Sequence, residues 1–110
     1  MPTAEEIRGY MEQLPSVFLP EKAEDLNTII QLDLSGDNGG QWWIRIADGA
    51  CEVQGGMADD PAMTLMASAD DLYNVFTGEL NAVSAFMQGK IKVKGDMGLI
   101  MRLPDLFKTG

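Results

Sequence analysis

Histidine is absent from this sequence of 110 residues, and cysteine occurs once, as Cys51. The absence of histidine excludes Ser-His-Asp and Cys-His catalysis and the common zinc sites, because all of these use an imidazole. A single cysteine cannot form an internal disulfide, which favours a reducing compartment over secretion. We therefore expect a domain with no catalytic residues, no metal site and no cofactor.

Long apolar runs are absent as well, and basic residues are few. No stretch approaches the ~20 apolar residues that span a bilayer, and the acidic segment from Met1 to Glu6 lacks the apolar part of a signal peptide. The 17 acidic and 8 basic residues give a net charge of -9, which repels phosphate backbones and argues against nucleic acid as a partner. We expect a cytoplasmic protein that folds as a single domain over residues 1–110, a length that suits one hydrophobic core.

The basic residues are concentrated near the C-terminus. Residues 90–110 contain five basic and two acidic residues, a local charge of +3, whereas residues 1–89 carry -12. Lys90, Lys92 and Lys94 alternate with apolar residues, so on a strand their side chains share one face. This face is either a solvated surface that guards an edge strand, or a docking surface for anionic lipid head groups or an acidic partner.

The N-terminal segment predicts an amphipathic helix. Thr3 and Glu6 form a capping box, and apolar residues follow at helical spacing as far as Leu14. We expect the helix to end near Pro15, because proline removes a backbone hydrogen bond and clashes with the preceding turn. A further short helical turn is predicted after Pro20.

Five strands are predicted, mainly from the alternation of apolar and polar residues. They cover residues 28–34, 42–46, 50–54, 62–67 and 90–95. In the first strand, the alternation directs Gln31 and Asp33 away from the core. Asp48-Gly49 predicts a two-residue hairpin turn between the second and third strands. Cys51, on the third strand, is interpreted as a small buried apolar residue.

Two short helices are predicted between the fourth and fifth strands. Ser68 caps the first helix, which Gly78 ends, and Asn81 caps the second, which Gly89 ends. A connection of this length usually crosses over a sheet to join two parallel strands. We therefore expect the fourth and fifth strands to be parallel.

The last predicted element is a helix over residues 96–107, interrupted or kinked at Pro104. One apolar stripe contains Met97, Ile100 and Met101. A second contains Leu99, Leu103, Leu106 and Phe107. A helix with two apolar stripes is either buried on both sides or shields a cavity or partner. Core filling explains any single methionine, but their concentration near the last two elements points towards an adaptable apolar pocket.

Two motifs near the C-terminus carry a family resemblance. Residues 85–90 read Ala-Phe-Met-Gln-Gly-Lys, and residues 92–99 read Lys-Val-Lys-Gly-Asp-Met-Gly-Leu. They resemble the Ala-Phe-x-x-Gly-Lys and Lys-x-x-Gly-(Asn/Asp)-Met-Gly motifs of the sterol carrier protein type 2 family. Upstream segments also look like this family, in the same order: residues 32–36, 39–42, 48–49 and 60–61. The resemblance covers residues 3–107.

The resemblance implies an α/β fold in which helices cover one face of a five-stranded mixed, mainly antiparallel sheet. It also implies an apolar tunnel between sheet and helices that accepts a sterol, fatty acid, fatty acyl-CoA or phospholipid. Carried over by position, the residues that would line this tunnel are Leu72, Phe76 and Phe86. The last helix would close it with Met97, Ile100, Met101 and Leu103. Gln88 would meet the polar head of the ligand.

The function implied by the resemblance is intracellular lipid binding or transfer, without enzymatic activity. One alternative is an accessory or scaffold module that presents lipid to an enzyme of lipid or quinone metabolism, and another is a lipid-free structural domain. In the first two cases, Lys90, Lys92 and Lys94 would contact a membrane surface or an enzyme. The last residues, Lys108-Thr109-Gly110, lack the peroxisomal tripeptide of some relatives. The oligomeric state, monomer or dimer, stays open.

Overall fold

The computed structural model describes residues 2–108, which form one sheet and four α-helices. The helices are α1 (Ala4–Val17), α2 (Ala69–Thr77), α3 (Ala82–Met87) and α4 (Gly98–Arg102). The strands are β1 (Thr28–Ser35), β2 (Gly40–Ala47), β3 (Ala50–Gly55), β4 (Met63–Ser68) and β5 (Ile91–Gly95). Two 3₁₀ turns, Pro20–Lys22 and Leu103–Leu106, complete the chain. Among the described helices, none is long and apolar enough to cross a membrane.

The five strands are arranged in the order β3-β2-β1-β4-β5. Strands β1 and β4 are parallel, and the other three pairs are antiparallel. The expectation that β4 and β5 are parallel is therefore wrong. Ala67, at the end of β4, pairs with Ile91, at the start of β5, because two successive helices return the chain to the end of the sheet from which it left. The hairpin turn predicted at Asp48-Gly49 is present, with φ values of 54° and 74°.

One face of the sheet and the helices enclose a single hydrophobic core. Alternate residues of β1 and β4, Ile30, Leu32 and Leu65 among them, have no exposed surface, as period-two alternation requires. The helices contribute Leu14, Leu72 and others from their apolar sides. The mixed sheet with helices on one face, predicted from the resemblance, is confirmed by this arrangement.

Gln31 lies on the other face of the sheet, away from the core, as the alternation predicted, yet it is only 1% exposed. The connection from β3 to β4 covers it. Its Nε2 donates to the carbonyl oxygens of Trp42 and Gly56, both at 3.0 Å, and its Oε1 accepts from the Ala58 N–H at 2.7 Å. Asp33, two residues later, is exposed as predicted.

Helix α1 begins as predicted, but it does not end at Pro15. Thr3 and Glu6 form the expected capping box, and the helix continues to Val17. Pro15 lies in the last turn, where its missing N–H removes one intrahelical hydrogen bond, while buried residues such as Leu14 hold the helix on the core. Beyond the helix, the Leu19 N–H donates to the Leu106 carbonyl at 2.8 Å, which joins the N-terminal and C-terminal segments.

The segment after β5 is shorter and less regular than the predicted helix over residues 96–107. Helix α4 contains five residues and continues as the 3₁₀ turn Leu103–Leu106. The change occurs next to Pro104, whose ring nitrogen carries no hydrogen for an α-helical bond. The predicted interruption is therefore present, and it separates α4 from the chain segment that packs against Phe18.

Candidate functional site

A groove lies between α3 and the segment formed by α4 and the second 3₁₀ turn. It consists of two adjoining halves with volumes of about 290 Å³ and about 330 Å³. Val83 from α3 and Met101 from α4 line both halves, so they stand at the junction between them. Each half is close to the lower end of the ~300–1,000 Å³ typical of ligand pockets.

The first half, the apolar half, is lined by Val83, Phe86, Met87, Met97, Ile100 and Met101. The spacing of residues on α3 explains why these side chains face outwards. Ala82 and Ala85 are buried against the core, and residues at i, i+3 and i+4 from Val83 form the opposite stripe. As a result, Met87 is 80% exposed and Met101 is 64% exposed. Exposed apolar side chains grouped around a depression are typical of an interaction site.

The floor and the rim of the apolar half differ in burial. Ile100 is buried and Phe86 is half-buried, so they form the floor. Met87, Met97 and Met101 form the rim, and their unbranched, polarisable side chains adapt to apolar shapes of different kinds.

The second half, the polar half, is lined by Val75, Gly78, Leu80, Asn81, Ala82, Val83, Met101 and Asp105. Asn81 caps α3: its Oδ1 accepts from the Ser84 N–H at 3.0 Å. Asp105 is exposed and brings a carboxylate to this end of the groove. The second 3₁₀ turn positions it there.

Basic groups lie in a neighbouring depression, which is lined by Lys22, Arg102, Asp105 and Leu106. The Arg102 guanidinium donates two hydrogen bonds to the Asp25 carboxylate, at 2.8 and 2.9 Å, and one to the Lys22 carbonyl at 3.1 Å. These bonds lower the pKa of Asp25 and raise that of Arg102. The guanidinium is therefore directed towards Asp25.

The eight residues predicted to bind lipid occupy three different places. Phe86, Met97, Ile100 and Met101 line the apolar half of the groove. Leu72, Phe76 and Leu103 have no exposed surface and belong to the core, where the Phe76 ring lies 5.6 Å from that of Phe107. Gln88 is exposed at the C-cap of α3, outside the lining of the groove. Their assignment to a ligand stays a prediction.

Val83 and Asp105 belong to the groove but were not among the predicted residues. A sequence signal for Val83 exists, because Val83, Phe86 and Met87 form an apolar stripe at helical spacing. Asp105 has no comparable signal, since it borders the groove only because the fold brings the second 3₁₀ turn close to the α2–α3 connection.

Lys90, Lys92 and Lys94 are exposed on and beside β5, which is an edge strand. Lys92 and Lys94 share the sheet face that is opposite to the helices, as the alternation predicted. Lys90 and Lys92 line a depression of about 290 Å³ together with Asp33 and Met66. The lysines thus lie along the β5 edge of the sheet, and α3, which carries Met87 of the rim, packs next to the same strand.

Two kinds of reactive site can be checked in the described part of the chain, a metal centre and a nucleophilic thiol. Residues 2–108 contain no group of three His, Cys, Asp or Glu side chains that could hold a metal ion. Cys51, predicted to be buried, is half-buried on β3, and burial raises the pKa of its thiol to about 12. This thiol stays protonated at neutral pH, which makes it a poor nucleophile.

The sequence matches the family model of the SCP-2 sterol transfer family over residues 11–108. The chain belongs to this family. A curated relative of this SCP-2 domain is the hydroxysteroid dehydrogenase-like protein 2 of Bos taurus, which is 37% identical over 103 residues. The match covers 89% of this chain and 25% of that protein, so the chain spans about a quarter of the length of this relative.

Solved structures show the same fold as this SCP-2 domain. Palmitated SCP2L2 from Aedes aegypti is 23% identical with a TM-score of 0.73, and the match covers 94% of this chain and 93% of that one. A structure described as UbiJ-SCP2 ubiquinone synthesis protein is 18% identical with a TM-score of 0.72, covering 91% and 90%. Together with the family match, they confirm the family and the fold class predicted from the sequence motifs.

Proposed function

We propose that this SCP-2 domain binds one lipid molecule in the groove between α3 and α4 and transfers it, without performing chemistry on it. The observation that carries this proposal is the apolar half of the groove, where exposed methionines surround a floor of Phe86 and Ile100. Burial of an aliphatic chain contributes about 0.8 kcal/mol per methylene group, so binding needs no charged partner.

A longer ligand requires more space than the groove offers, and we propose that α4 moves to provide it. Ile100, on the floor, lies between the groove and the core in which Leu72 and Phe76 are buried. Helix α4 has only five residues, so few backbone hydrogen bonds hold it. Its displacement would open the predicted tunnel beneath it. Amide hydrogen exchange in α4 as slow as in β1 would contradict this lid.

The family and the size of the site support a lipid with an apolar part as the ligand. A sterol, a fatty acid, a fatty acyl-CoA and a phospholipid all carry an apolar part that the groove and the core can accept. The fold of the Aedes protein, which was solved in its palmitated form, supports an acyl chain as one occupant.

A tryptophan placed at the junction of the two halves tests the proposal. Val83→Trp fills the groove, and exclusion of roughly three methylene groups costs about 2 kcal/mol, or about a thirtyfold loss of affinity. Equilibrium dialysis of radiolabelled palmitate measures this loss. Val83 is 39% exposed, so the larger side chain leaves the core intact.

The matched control is Met57→Trp, since Met57 is also exposed but lies in the connection from β3 to β4, away from the groove. We expect it to bind palmitate as the unaltered protein does. Equal binding by both variants would remove the groove from the site. Mass spectrometry of lipid extracted from the natively purified protein would identify the natural ligand class.

A second candidate function is that of an accessory domain that presents lipid to an enzyme. The observation that favours it is the exposure of the methionine rim, which a partner could cover, together with the match to about a quarter of a dehydrogenase-like protein. The UbiJ structure offers a parallel in quinone metabolism. Transfer between vesicles by the isolated domain supports the carrier, whereas transfer only in the presence of a co-purifying enzyme supports the accessory role.

For either function, we propose that Lys90, Lys92 and Lys94 contact the donor or acceptor of the lipid. All three are exposed at β5, and α3, which carries Met87 of the rim, packs next to this strand, so a surface with anionic head groups could contact both. A cytoplasmic location is part of this proposal and would be tested by imaging the tagged full-length protein.

A further inference from the structure

We infer that the polar half of the groove selects lipids with an uncharged hydroxyl head over lipids that end in a carboxylate or a phosphate, and that Asp105 is the residue that makes this selection. The inference rests on the proposed function, because it concerns the ligand of the same groove. It assigns the orientation of the ligand: the aliphatic chain lies among the methionines, and the head lies near Asn81 and Asp105.

The charge of the groove is the first argument. In the described part of the chain, Asp105 is the one charged residue among the side chains that line the two halves. A ligand that ends in a carboxylate would bring a second negative charge next to this carboxylate. Two like charges about 4 Å apart repel each other even in water, by enough to lower affinity about fivefold.

The hydrogen-bonding groups are the second argument. Asn81 uses its Oδ1 to cap α3, which fixes the orientation of its amide and leaves Nδ2 as a donor. The Asp105 carboxylate is an acceptor in the same half of the groove. A hydroxyl group both donates and accepts a hydrogen bond, so it matches this pair, whereas an ionised carboxylate can only accept.

The position of the basic residues is the third argument. Lys22 and Arg102 line the neighbouring depression that Asp105 also borders, and the Arg102 guanidinium is held by the Asp25 carboxylate at 2.8 Å. Neither residue lines the groove. Beyond α3, whose side chains line the apolar half, the next basic residue in the sequence is Lys90. Within the described residues, the lining of the polar half therefore offers no cation to an anionic head.

The test compares two probes with the same chain, dodecan-1-ol and dodecanoate, at pH 7.5. Competition against radiolabelled palmitate in equilibrium dialysis measures both affinities. We expect the unaltered protein to bind the alcohol about fivefold more tightly than the carboxylate, and Asp105→Lys to reverse this order. Asp105→Asn, which removes the charge and keeps the shape, should bring the two affinities to within about twofold of each other.

Two control variants make the result specific. Asp59→Lys makes the same change in charge at an exposed residue of the β3–β4 connection, and it should leave the preference unchanged. Gln88→Ala removes a polar side chain at the C-cap of α3, outside the lining of the groove, and should also leave the preference unchanged.

Three results would overturn the inference. Equal affinities for both probes in the unaltered protein and in Asp105→Lys would overturn it while leaving the proposed function intact. A preference that changes with Gln88→Ala instead of Asp105→Lys would place the head near the C-cap of α3. Failure of palmitate and both probes to bind the unaltered protein would overturn the proposed function and, with it, this inference.

Discussion

Replacement of Gln31 by leucine should destabilise the domain far more than the position of this residue on the outer face of the sheet suggests. The Gln31 amide makes three hydrogen bonds of 2.7–3.0 Å to the backbone of Trp42, Gly56 and Ala58. Leucine fills a similar volume but leaves two carbonyl oxygens and one N–H without this partner. Each lost bond costs about 1 kcal/mol, and water replaces part of the set, so we expect a loss of about 2 kcal/mol.

Urea denaturation followed by tryptophan fluorescence measures this loss, because both tryptophans lie on β2 beside Gln31. In a thermal melt, the same loss corresponds to a decrease in Tm of about 8 °C. The matched control is Gln54→Leu, which makes the same substitution at an exposed residue of the same sheet face. Its effect should stay within about 0.5 kcal/mol.

Equal unfolding free energies for Gln31→Leu and Gln54→Leu would refute the reasoning, because they would show that the β3–β4 connection needs no polar anchor. Gln31→Glu adds a second test with nearly the same shape. It places a carboxylate oxygen opposite the carbonyls of Trp42 and Gly56, so this variant should be less stable at pH 7 than at pH 4, where the introduced group takes up a proton.

Three further predictions concern the surface and the thiol. Burial raises the pKa of Cys51 from 9.0 to about 12, so the folded protein should react with iodoacetamide at pH 8 roughly thirtyfold more slowly than the urea-unfolded protein. Equal rates would contradict this. The stability of the protein should also fall as the pH rises above 9, because only the unfolded thiol loses its proton there. The hydrogen bonds from Arg102 lower the pKa of Asp25, so the stabilisation from this pair should be present at neutral pH and be lost as the pH falls below about 4. The free energies of unfolding of Arg102→Ala and the unaltered protein should therefore differ at pH 7 and become equal at pH 2. A difference that persists at pH 2 would contradict an ionic origin. The third prediction concerns a variant in which Lys90, Lys92 and Lys94 are all replaced by glutamate. It should sediment less with anionic phosphatidylglycerol vesicles than the unaltered protein does, and its sedimentation with neutral phosphatidylcholine vesicles should be unchanged. Replacement of Arg8, Lys22 and Arg45 by glutamate is the control, and it should reduce sedimentation with the anionic vesicles less.

Much of the local structure could be predicted from the sequence, because the interactions that decide it span only a few residues. The Thr3 and Ser68 side chains each accept a hydrogen bond from a backbone N–H three residues later, so their caps were visible in the sequence and are present. The same holds for the Asp48-Gly49 turn. The motifs at residues 85–99 indicated the family, and the family implied the fold class.

Predictions failed where distant parts of the chain decide the outcome. Alternation placed Gln31 correctly on the outer face, but only the path of the β3–β4 connection buries it. Two helices between β4 and β5 suggested a parallel crossover, but the second helix brings the chain back to its starting end of the sheet. Pro15 was expected to end α1, but the packing of Leu14 in the core outweighs one missing hydrogen bond.

For the candidate site too, some features could be predicted from the sequence and others depend on the tertiary structure. The sequence alone determined the apolar stripe of Met97, Ile100 and Met101, because helical spacing puts these residues on one side. Only the tertiary structure placed this stripe opposite Val83 and brought Asp105 to one end of the resulting groove. The periodicity of a helix specifies which side chains share a face, whereas the neighbour of that face depends on how helices from different parts of the chain pack on one core.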